Sequence, residues 1–338
     1  MTASKLIASI SFDLDNQWSY MRTHGDAGWE ALPSYIPTLL PAVLDLVEQQ
    51  GLRITVFLVG QDAKQPENRD ALSTLAPRGH EVGNHSMNHL QWLHKLPDDE
   101  LEREVAEAEQ HIEATTGVRP RGFRGPGFAC SVRLLRVLKR RGYDYDCSTF
   151  PTFVGPLARA YYFMSARKLS ETEKEQRQDL FGDVRDGLRP LGGYLWDLGD
   201  AGAKFSDGSD GNGRGLLEIP VTTMPLLRAP IHMSYVLYLA QRSEWLAQTY
   251  LRTAIALCQR TGVELSFLLH PLDFISGDSC PALRFFPAMS MPAERKRALV
   301  TQALATIREH FDAVPMGEHA RRLLQRPDLP RRPADLAL

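Results

Sequence analysis

Cysteine is scarce in this chain, and its four residues lie far apart in the sequence, at Cys130, Cys147, Cys258 and Cys280. No two of them have the short spacing of a zinc ribbon or of a dithiol redox site. We therefore expect reduced thiols, as is usual in the cytoplasm.

An excess of positive charge is also missing. Lys and Arg total 39 against 41 Asp and Glu, which leaves a formal net charge of −2. No basic cluster alternates with aromatic residues in the way that single-strand binders require. Nucleic acid is therefore not an expected partner.

Signals for export or membrane insertion are not seen either. Residues 1–5 lead directly into the apolar segment Leu6–Phe12, with no charged leader and no small-residue cleavage site. The most apolar later stretch, Ile219–Ala240, is interrupted by three prolines, an arginine and a histidine, which argues against a transmembrane helix. The sequence thus predicts a cytoplasmic protein.

The order of apolar segments indicates an α/β fold. A chain of 338 residues with 43% hydrophobic content can bury one large core. Short β-rich segments alternate with amphipathic helical segments, several of which end at a glycine suited to a left-handed cap. The predicted strands are Leu6–Phe12, Arg53–Val59, Glu81–Asn84, Gly122–Arg124, Tyr143–Ser148, Leu216–Val221 and Glu264–His270. This pattern predicts a distorted barrel of seven or eight β/α units.

The domain organisation follows from the same pattern. We expect one catalytic domain over residues 1–325, with an insertion at 150–215 near the barrel mouth and a C-terminal tail at 326–338. Within the insertion, the glycine-rich stretch Ser206–Gly215 is typical of a solvent-exposed loop, and a lid is the alternative. Phe153–Leu169 and Ile219–Leu239 either pack on each other or present an apolar surface to a lipid-linked substrate.

A helix is predicted from Pro97 to Thr116. Apolar residues recur there at spacings of three and four, at Leu101, Val105, Ala108 and Ile112. We interpret this helix as a packing element only.

Two histidines four positions apart, His85 and His89, suggest a metal site. On a helical turn both imidazoles point to the same side and can bind one divalent cation if a carboxylate completes the set. Asp15 is the best candidate for that carboxylate. The alternative is a pair of histidines on a helix surface or in the core.

Four motifs then occur in order: Ser-Phe-Asp-Leu-Asp at 11–15, His-Ser-Met-Asn-His at 85–89, Arg-Gly-Pro-Gly at 124–127 and Leu-Leu-His at 268–270. Together they resemble the motifs of the polysaccharide deacetylase (NodB-homology) family, in its subgroup with an Asp-x-Asp first motif. The similarity extends from about Leu6 to about Ala320, although residues 150–215 match no family motif.

The resemblance implies a set of catalytic roles. Asp13 corresponds to the general base, Arg124 to the residue that orients this base, and His270 to the general acid. From the residues alone, loop capping by Asp13, a surface ion pair of Arg124 and a buried structural His270 remain alternatives.

The resemblance also implies the metal ligands Asp15, His85 and His89. Zinc is expected first from these ligand types, and cobalt, nickel or iron would suit the same set. Loop capping is the alternative for Asp15.

Six further residues complete the expected site. Trp18 and Trp196 are candidate sugar platforms, although core packing is the alternative for a tryptophan. Pro126 and Gly127 would shape the pocket wall. Asp273 either holds His270 in one tautomer or caps a turn, and Asp146 has a similar supporting place.

These features predict a metal-dependent hydrolase that removes an N-acyl group, most simply acetyl, from an amino sugar. Without an export signal, a cytosolic precursor or a lipid-linked saccharide at the cytoplasmic membrane face is the expected substrate. A hydrolase of small ureides, cyclic imides or formamides is one alternative, and an inactive carbohydrate-binding scaffold is another. The oligomeric state is not predicted.

Overall fold

The computed structural model describes residues 5–155, 184–198 and 215–334. Ten strands in these ranges form one sheet: β1 (Ile7–Asp13), β2 (Thr55–Leu58), β3 (Glu81–Asn84), β4 (Gly122–Phe123), β5 (Tyr145–Asp146), β6 (Tyr194–Asp197), β7 (Leu216–Glu218), β8 (Leu265–Leu269), β9 (Asp312–Val314) and β10 (Arg331–Pro333). The α-helices in these ranges are α1 (Gln17–His24), α2 (Ile36–Gln49), α3 (Gly60–Lys64), α4 (Arg69–Leu72), α5 (Asp98–Thr116), α6 (Val132–Arg140), α7 (Met233–Ala240), α8 (Glu244–Thr261), α9 (Ala293–His310) and α10 (Met316–Leu324).

The sheet is mainly parallel and curves into a distorted barrel. Its strand order is β10-β6-β7-β5-β4-β3-β2-β1-β8, with β9 beside β1 and only β6 antiparallel to its neighbour β7. The segment that follows β7 is hydrogen-bonded to β8. Thr222 N donates to Ser266 O at 3.1 Å, and Ser266 N donates to Thr222 Oγ1 at 2.7 Å. These two bonds join the ends of the parallel run, so the predicted α/β barrel class is confirmed.

Each of the seven predicted strands overlaps an observed strand, but three others, β6, β9 and β10, were not predicted. β6 lies in the expected insertion and β10 lies in the expected tail, and the two pair in parallel, with Arg331 opposite Leu195. The tail is therefore part of the sheet as far as residue 333. β10 is fully exposed and lacks a buried apolar pattern, and β6 has only three buried residues, which is too short a run to mark a strand in a sequence.

The expected insertion is described only in part. The predicted glycine-rich loop, except for Gly215, and most of Phe153–Leu169 lie outside the described residues. Phe153 itself is 45% exposed.

The core lies between the sheet and its surrounding helices. All seven residues of β1 are buried, which is expected for a strand covered on both faces. The predicted helix at 97–116 is confirmed by α5, whose residues Leu101, Val105, Ala108 and Ile112 are fully buried. α5 begins with three acidic residues and ends at Gly117, whose φ of 74° is left-handed. Across the described ranges, no helix combines the length and apolarity needed to span a bilayer.

Candidate metal centre

The ends of neighbouring strands position the polar side chains of the barrel mouth. Asp13 is the last residue of β1, and Asp15 follows two residues later. His85, Arg124 and His270 come directly after β3, β4 and β8. Because the carboxyl ends of parallel strands face one side of a barrel, these five residues meet there.

Asp15, His85 and His89 form a compact group of three metal-ligand types. Asp15 Oδ1 is 3.2 Å from His85 Nε2 and 2.9 Å from His89 Nε2, and all three residues are buried. Their ligand atoms lie within 4.8 Å of one another. Two ligands of a tetrahedral zinc ion with bonds of about 2.05 Å are about 3.3 Å apart, so the observed spacing is near that of a metal site.

The hydrogen bonds around these atoms also fit a cation. His85 Nδ1 donates to the carbonyl of Arg124 at 2.6 Å, which leaves the lone pair of Nε2 directed at the shared point. Asp15 Oδ1 and His89 Nε2 are buried and have no hydrogen-bond partner among the described residues, although they are close together. Buried polar atoms are seldom left unsatisfied. A divalent cation would satisfy Asp15 Oδ1, His89 Nε2 and His85 Nε2 together.

Burial and neighbouring groups shift the pKa values of Asp15 and His89. Burial acts to raise the pKa of Asp15, but His89 and His85 hold it well below its usual value. Burial lowers the pKa of His89, Asp15 acts to raise it, and His85 and Arg22 act to lower it, so that it lies below its usual value. His89 is therefore neutral at physiological pH, the form in which histidine binds metal.

The segment that holds the two histidines differs from the prediction. Residues 85–89 form a loop, not a helical turn, and Ser86 and His89 have left-handed φ angles of 63° and 51°. Each is an uncommon conformation for a residue other than glycine. Both imidazoles still reach Asp15 from this loop, so the predicted helical turn was wrong although the pairing of these residues was right.

Glu104 of α5 supports this loop. Its Oε2 accepts hydrogen bonds from the backbone N of Met87 at 3.1 Å and of Asn88 at 3.0 Å, and its Oε1 accepts from Asn88 Nδ2 at 2.6 Å. Sequence reasoning assigned α5 to packing only and missed this role. The available signal was an acidic residue three positions after Leu101 on the buried face of the helix.

Arg22 of α1 supports the same loop from the other side. Its Nη2 donates to the carbonyls of Asn88 at 2.5 Å and His89 at 2.8 Å. The guanidinium also lies 5.0 to 5.9 Å from the ring centroids of three tryptophans, at positions 18, 29 and 92. No sequence motif distinguishes Arg22, because its partners come from three different segments.

Asp13 and Arg124 form a buried pair beside the three ligand residues. Arg124 Nη1 is 3.4 Å from Asp13 Oδ2, its Nη2 donates to Ser11 Oγ at 3.4 Å, and the side chain is fully buried. Burial acts to lower the pKa of Arg124, but Asp13 and other neighbours raise it, so the guanidinium stays charged. Asp13 Oδ1 has no hydrogen-bond partner among the described residues.

His270 is held by the turn that follows β8. Asp273 Oδ2 accepts a hydrogen bond from His270 N at 2.8 Å, which caps the turn Pro271–Asp273. Ser234 Oγ donates to Asp273 Oδ1 at 2.8 Å and lies 3.5 Å from His270 Nδ1. Asp273 therefore supports His270 through its backbone and through Ser234, a residue that the sequence did not single out.

Asp146 supports the Arg-Gly-Pro-Gly loop at 124–127 through Ser148. Ser148 Oγ donates to Asp146 Oδ1 at 2.6 Å, and Gly125 N donates to Ser148 Oγ at 2.7 Å. Burial and the adjacent Glu218 raise the pKa of Asp146 well above its usual value. In the same loop Pro126 is buried, whereas Gly127 is exposed with a φ of 59°.

The prediction that Trp18 and Trp196 are sugar platforms is wrong. Trp18 and Trp196 are each 1% exposed, so neither presents a ring face to a ligand. Trp18 Nε1 donates to Asp62 at 2.8 Å, and Trp196 Nε1 donates to Glu218 at 2.9 Å. Both are packing residues, because an indole that can satisfy its N–H inside the core gains from full burial.

Known proteins resemble the part of the chain that contains His85, His89 and Arg124, whereas Asp13, Asp15 and His270 lie outside the range matched by the family model. Residues 25–145 match the model of the polysaccharide deacetylase family. A peptidoglycan-N-acetylglucosamine deacetylase of Bacillus cereus is 32% identical over 108 residues, which are 32% of this chain and 49% of the relative. A chitooligosaccharide deacetylase of Azorhizobium caulinodans is 29% identical over 107 residues, which are 31% of this chain and 50% of the relative. The chain thus spans about half the length of these relatives.

Solved structures extend the likeness in fold to nearly the whole chain. A candidate polysaccharide deacetylase of Mycobacterium smegmatis has a TM-score of 0.61 at 16% identity, and the match covers 98% of this chain and 95% of that one. A candidate polysaccharide deacetylase of Pseudomonas aeruginosa PAO1 has a TM-score of 0.55 at 15% identity, with 96% and 92% covered. These two likenesses concern the fold, and the match to the polysaccharide deacetylase family concerns residues 25–145.

Proposed function

We propose that this protein is a metal-dependent amidohydrolase that removes an N-acetyl group from an amino sugar. The observation that supports this most directly is the buried group of Asp15, His85 and His89 next to the Asp13–Arg124 pair. A catalytically inactive binding protein has no physical need for a buried carboxylate and two buried imidazoles whose polar atoms lack hydrogen-bond partners.

The residues divide the chemistry of amide hydrolysis. A divalent cation at Asp15, His85 and His89 would supply a Lewis acid for the acyl oxygen and for water. Asp13 Oδ1 takes the proton of the attacking water, and Arg124 orients this carboxylate. Water adds to the acyl carbon, the C–N bond breaks, and His270 gives a proton to the departing nitrogen. The products are acetate and a free amine.

The substrate class is supported by the relatives, whose names specify N-acetylglucosamine in peptidoglycan and chitooligosaccharides. We further propose a cytosolic amino-sugar precursor or a lipid-linked saccharide as the form used by this protein. Cytoplasmic location and the Asp-x-Asp subgroup stay predictions, and fractionation of the producing cells tests the first of them.

The test combines turnover with metal content. Acetate release from N-acetylglucosamine oligosaccharides should be lost on chelation and restored by zinc, cobalt, nickel or iron. Asp13→Asn should lower kcat by at least about 100-fold while bound metal, measured by mass spectrometry, is unchanged. Asp70→Asn, at an exposed position on α4, is the matched control.

Each alternative has its own outcome. Full activity of metal-free protein on ureides, imides or formamides would replace this proposal with the alternative hydrolase. Sugar binding without any turnover would identify a carbohydrate-binding scaffold. Ordinary kcat in Asp13→Asn would show that the base was assigned wrongly.

A further inference from the structure

A second imidazole faces His270 across the barrel mouth. His232 precedes α7, and its ring centroid lies 5.6 Å from that of His270, with the planes at 64°. The ring of Tyr235 lies 4.7 Å away at 89°. His232 belongs to none of the four motifs, and it is not needed for the proposed hydrolysis.

The nitrogens of this imidazole lack partners. His232 is 8% exposed, and among the described residues neither ring nitrogen has a hydrogen bond; Nδ1 is enclosed by protein, which leaves Nε2 as the nitrogen that a ligand can reach. Buried polar atoms in folded proteins nearly always have a partner, so an exception calls for an explanation. A histidine kept only for packing would be replaced by phenylalanine without loss of a hydrogen bond. A ligand group that bonds to Nε2 explains why a polar ring lies here.

Aromatic rings continue from His232 toward Arg124. Phe150 lies 5.6 Å from the His232 ring, and Phe128 stacks on Phe150 at 4.7 Å with an angle of 23°. The Arg124 guanidinium is 5.8 Å from the Phe128 ring. Phe128 and Phe150 are only half-buried, unlike Trp18 and Trp196, so they retain surface for contact with a ligand. The rings thus extend along the mouth from the acid, His270, to the arginine beside the base.

The environment of His232 favours an uncharged ligand group. Burial, His270 and Arg124 hold the pKa of His232 well below its usual value, so the ring is neutral. A neutral imidazole has one N–H donor and one nitrogen acceptor, which is the complement of a hydroxyl group. The aromatic faces beside it suit the C–H face of a sugar ring.

We propose that His232, Phe128 and Phe150 form the sugar-binding wall of this site, with Nε2 of His232 bonded to a hydroxyl of the amino sugar. This inference rests on the proposed function and assigns the sugar contacts that Trp18 and Trp196 cannot make.

The experiment compares substrates with and without a sugar ring. His232→Phe keeps an aromatic ring but has no nitrogen, and His232→Gln restores a neutral donor and acceptor. For acetate release from N-acetylglucosamine oligosaccharides, His232→Phe should raise KM about 3- to 10-fold, the effect of one neutral hydrogen bond, and His232→Gln should recover part of this loss. Metal-dependent hydrolysis of 4-nitrophenyl acetate should stay within about 2-fold of wild type in both variants, since that ester has no sugar to contact.

Two results overturn the inference. One is an unchanged KM for the oligosaccharides in His232→Phe, and the other is an equal loss of activity on both substrates, which would indicate a structural role. Thermal unfolding of each variant verifies that it is folded. His111→Phe on α5 is the control for the same substitution at a position away from the site. If the wild-type protein releases acetate from no N-acylated sugar, the proposed function fails as well. If it does and only the His232 effect is missing, the proposed function stands.

Discussion

Replacement of Glu104 by glutamine tests whether a helix remote from the chemistry controls the metal site. The carboxylate accepts three hydrogen bonds from the loop that carries His85 and His89. The amide of glutamine has the same shape but only one acceptor oxygen. If that oxygen takes the two backbone N–H groups, its NH2 faces Asn88 Nδ2, a donor, where 2.6 Å now separates donor and acceptor.

The expected magnitude follows from this geometry. At least one hydrogen bond to a charged group is lost, which amounts to about 1.5 to 3 kcal/mol. Because the loop contains two left-handed residues, Ser86 and His89, it relies on such contacts to keep its shape. If most of the loss appears in metal binding, affinity falls about 10- to 100-fold, as is typical for residues that orient metal ligands.

The assay is competition for zinc against a chelator of known affinity, with thermal unfolding recorded with and without metal. Glu107→Gln is the matched control, because Glu107 lies on the same helix and is exposed. We expect the metal-dependent rise in Tm to shrink in Glu104→Gln and to persist in Glu107→Gln. Equal zinc affinities in wild type and Glu104→Gln would refute the role of this helix in shaping the loop.

Three further predictions concern single residues. His89→Ala should lose stoichiometric metal, measured by mass spectrometry after dialysis, whereas His111→Ala should keep it. Burial raises the pKa of Asp62 to about 7. Between its unfolded pKa and this value the folded state keeps a proton that the unfolded state has released, so stability falls as pH rises, by up to about 4 kcal/mol from this group. Asp62→Asn should flatten that part of the profile in urea unfolding from pH 4 to pH 7. Ser234→Ala removes a donor to Asp273 and should lower kcat about 3- to 10-fold with little change in KM.

Each of these predictions has a contrary outcome. Metal retained in His89→Ala at wild-type affinity would remove this histidine from the ligand set. An unfolding profile of Asp62→Asn that parallels wild type would show that the carboxyl of Asp62 does not titrate in this range. A changed KM with unchanged kcat in Ser234→Ala would place the serine in substrate binding and not in support of His270.

Local sequence patterns were enough to predict the barrel and the polar residues at its strand ends, whereas the catalytic roles of those residues came from the family resemblance. Buried strands such as β1 and β8 are apolar along their length, and polar residues come directly after them. Since parallel strands direct their carboxyl ends to one side, residues distant in sequence such as Asp15 and His270 were expected at one mouth. α5 and its glycine cap were predicted for a similar reason: a periodic apolar face and a left-handed terminal residue are local properties.

Tertiary contacts decided the rest, because they join segments whose local patterns do not reveal a partner. The loop at 85–89 is shaped by Glu104 and Arg22, and not by the helical spacing of its histidines. Trp18 is buried because Asp62 accepts its N–H from another part of the chain. The pairing of β6 with β10 and the position of His232 opposite His270 likewise depend on how distant segments meet. Sequence alone thus determined which side chains lie at the strand ends. The folded structure determined which of these side chains are held in place by distant residues and which remain accessible to a ligand.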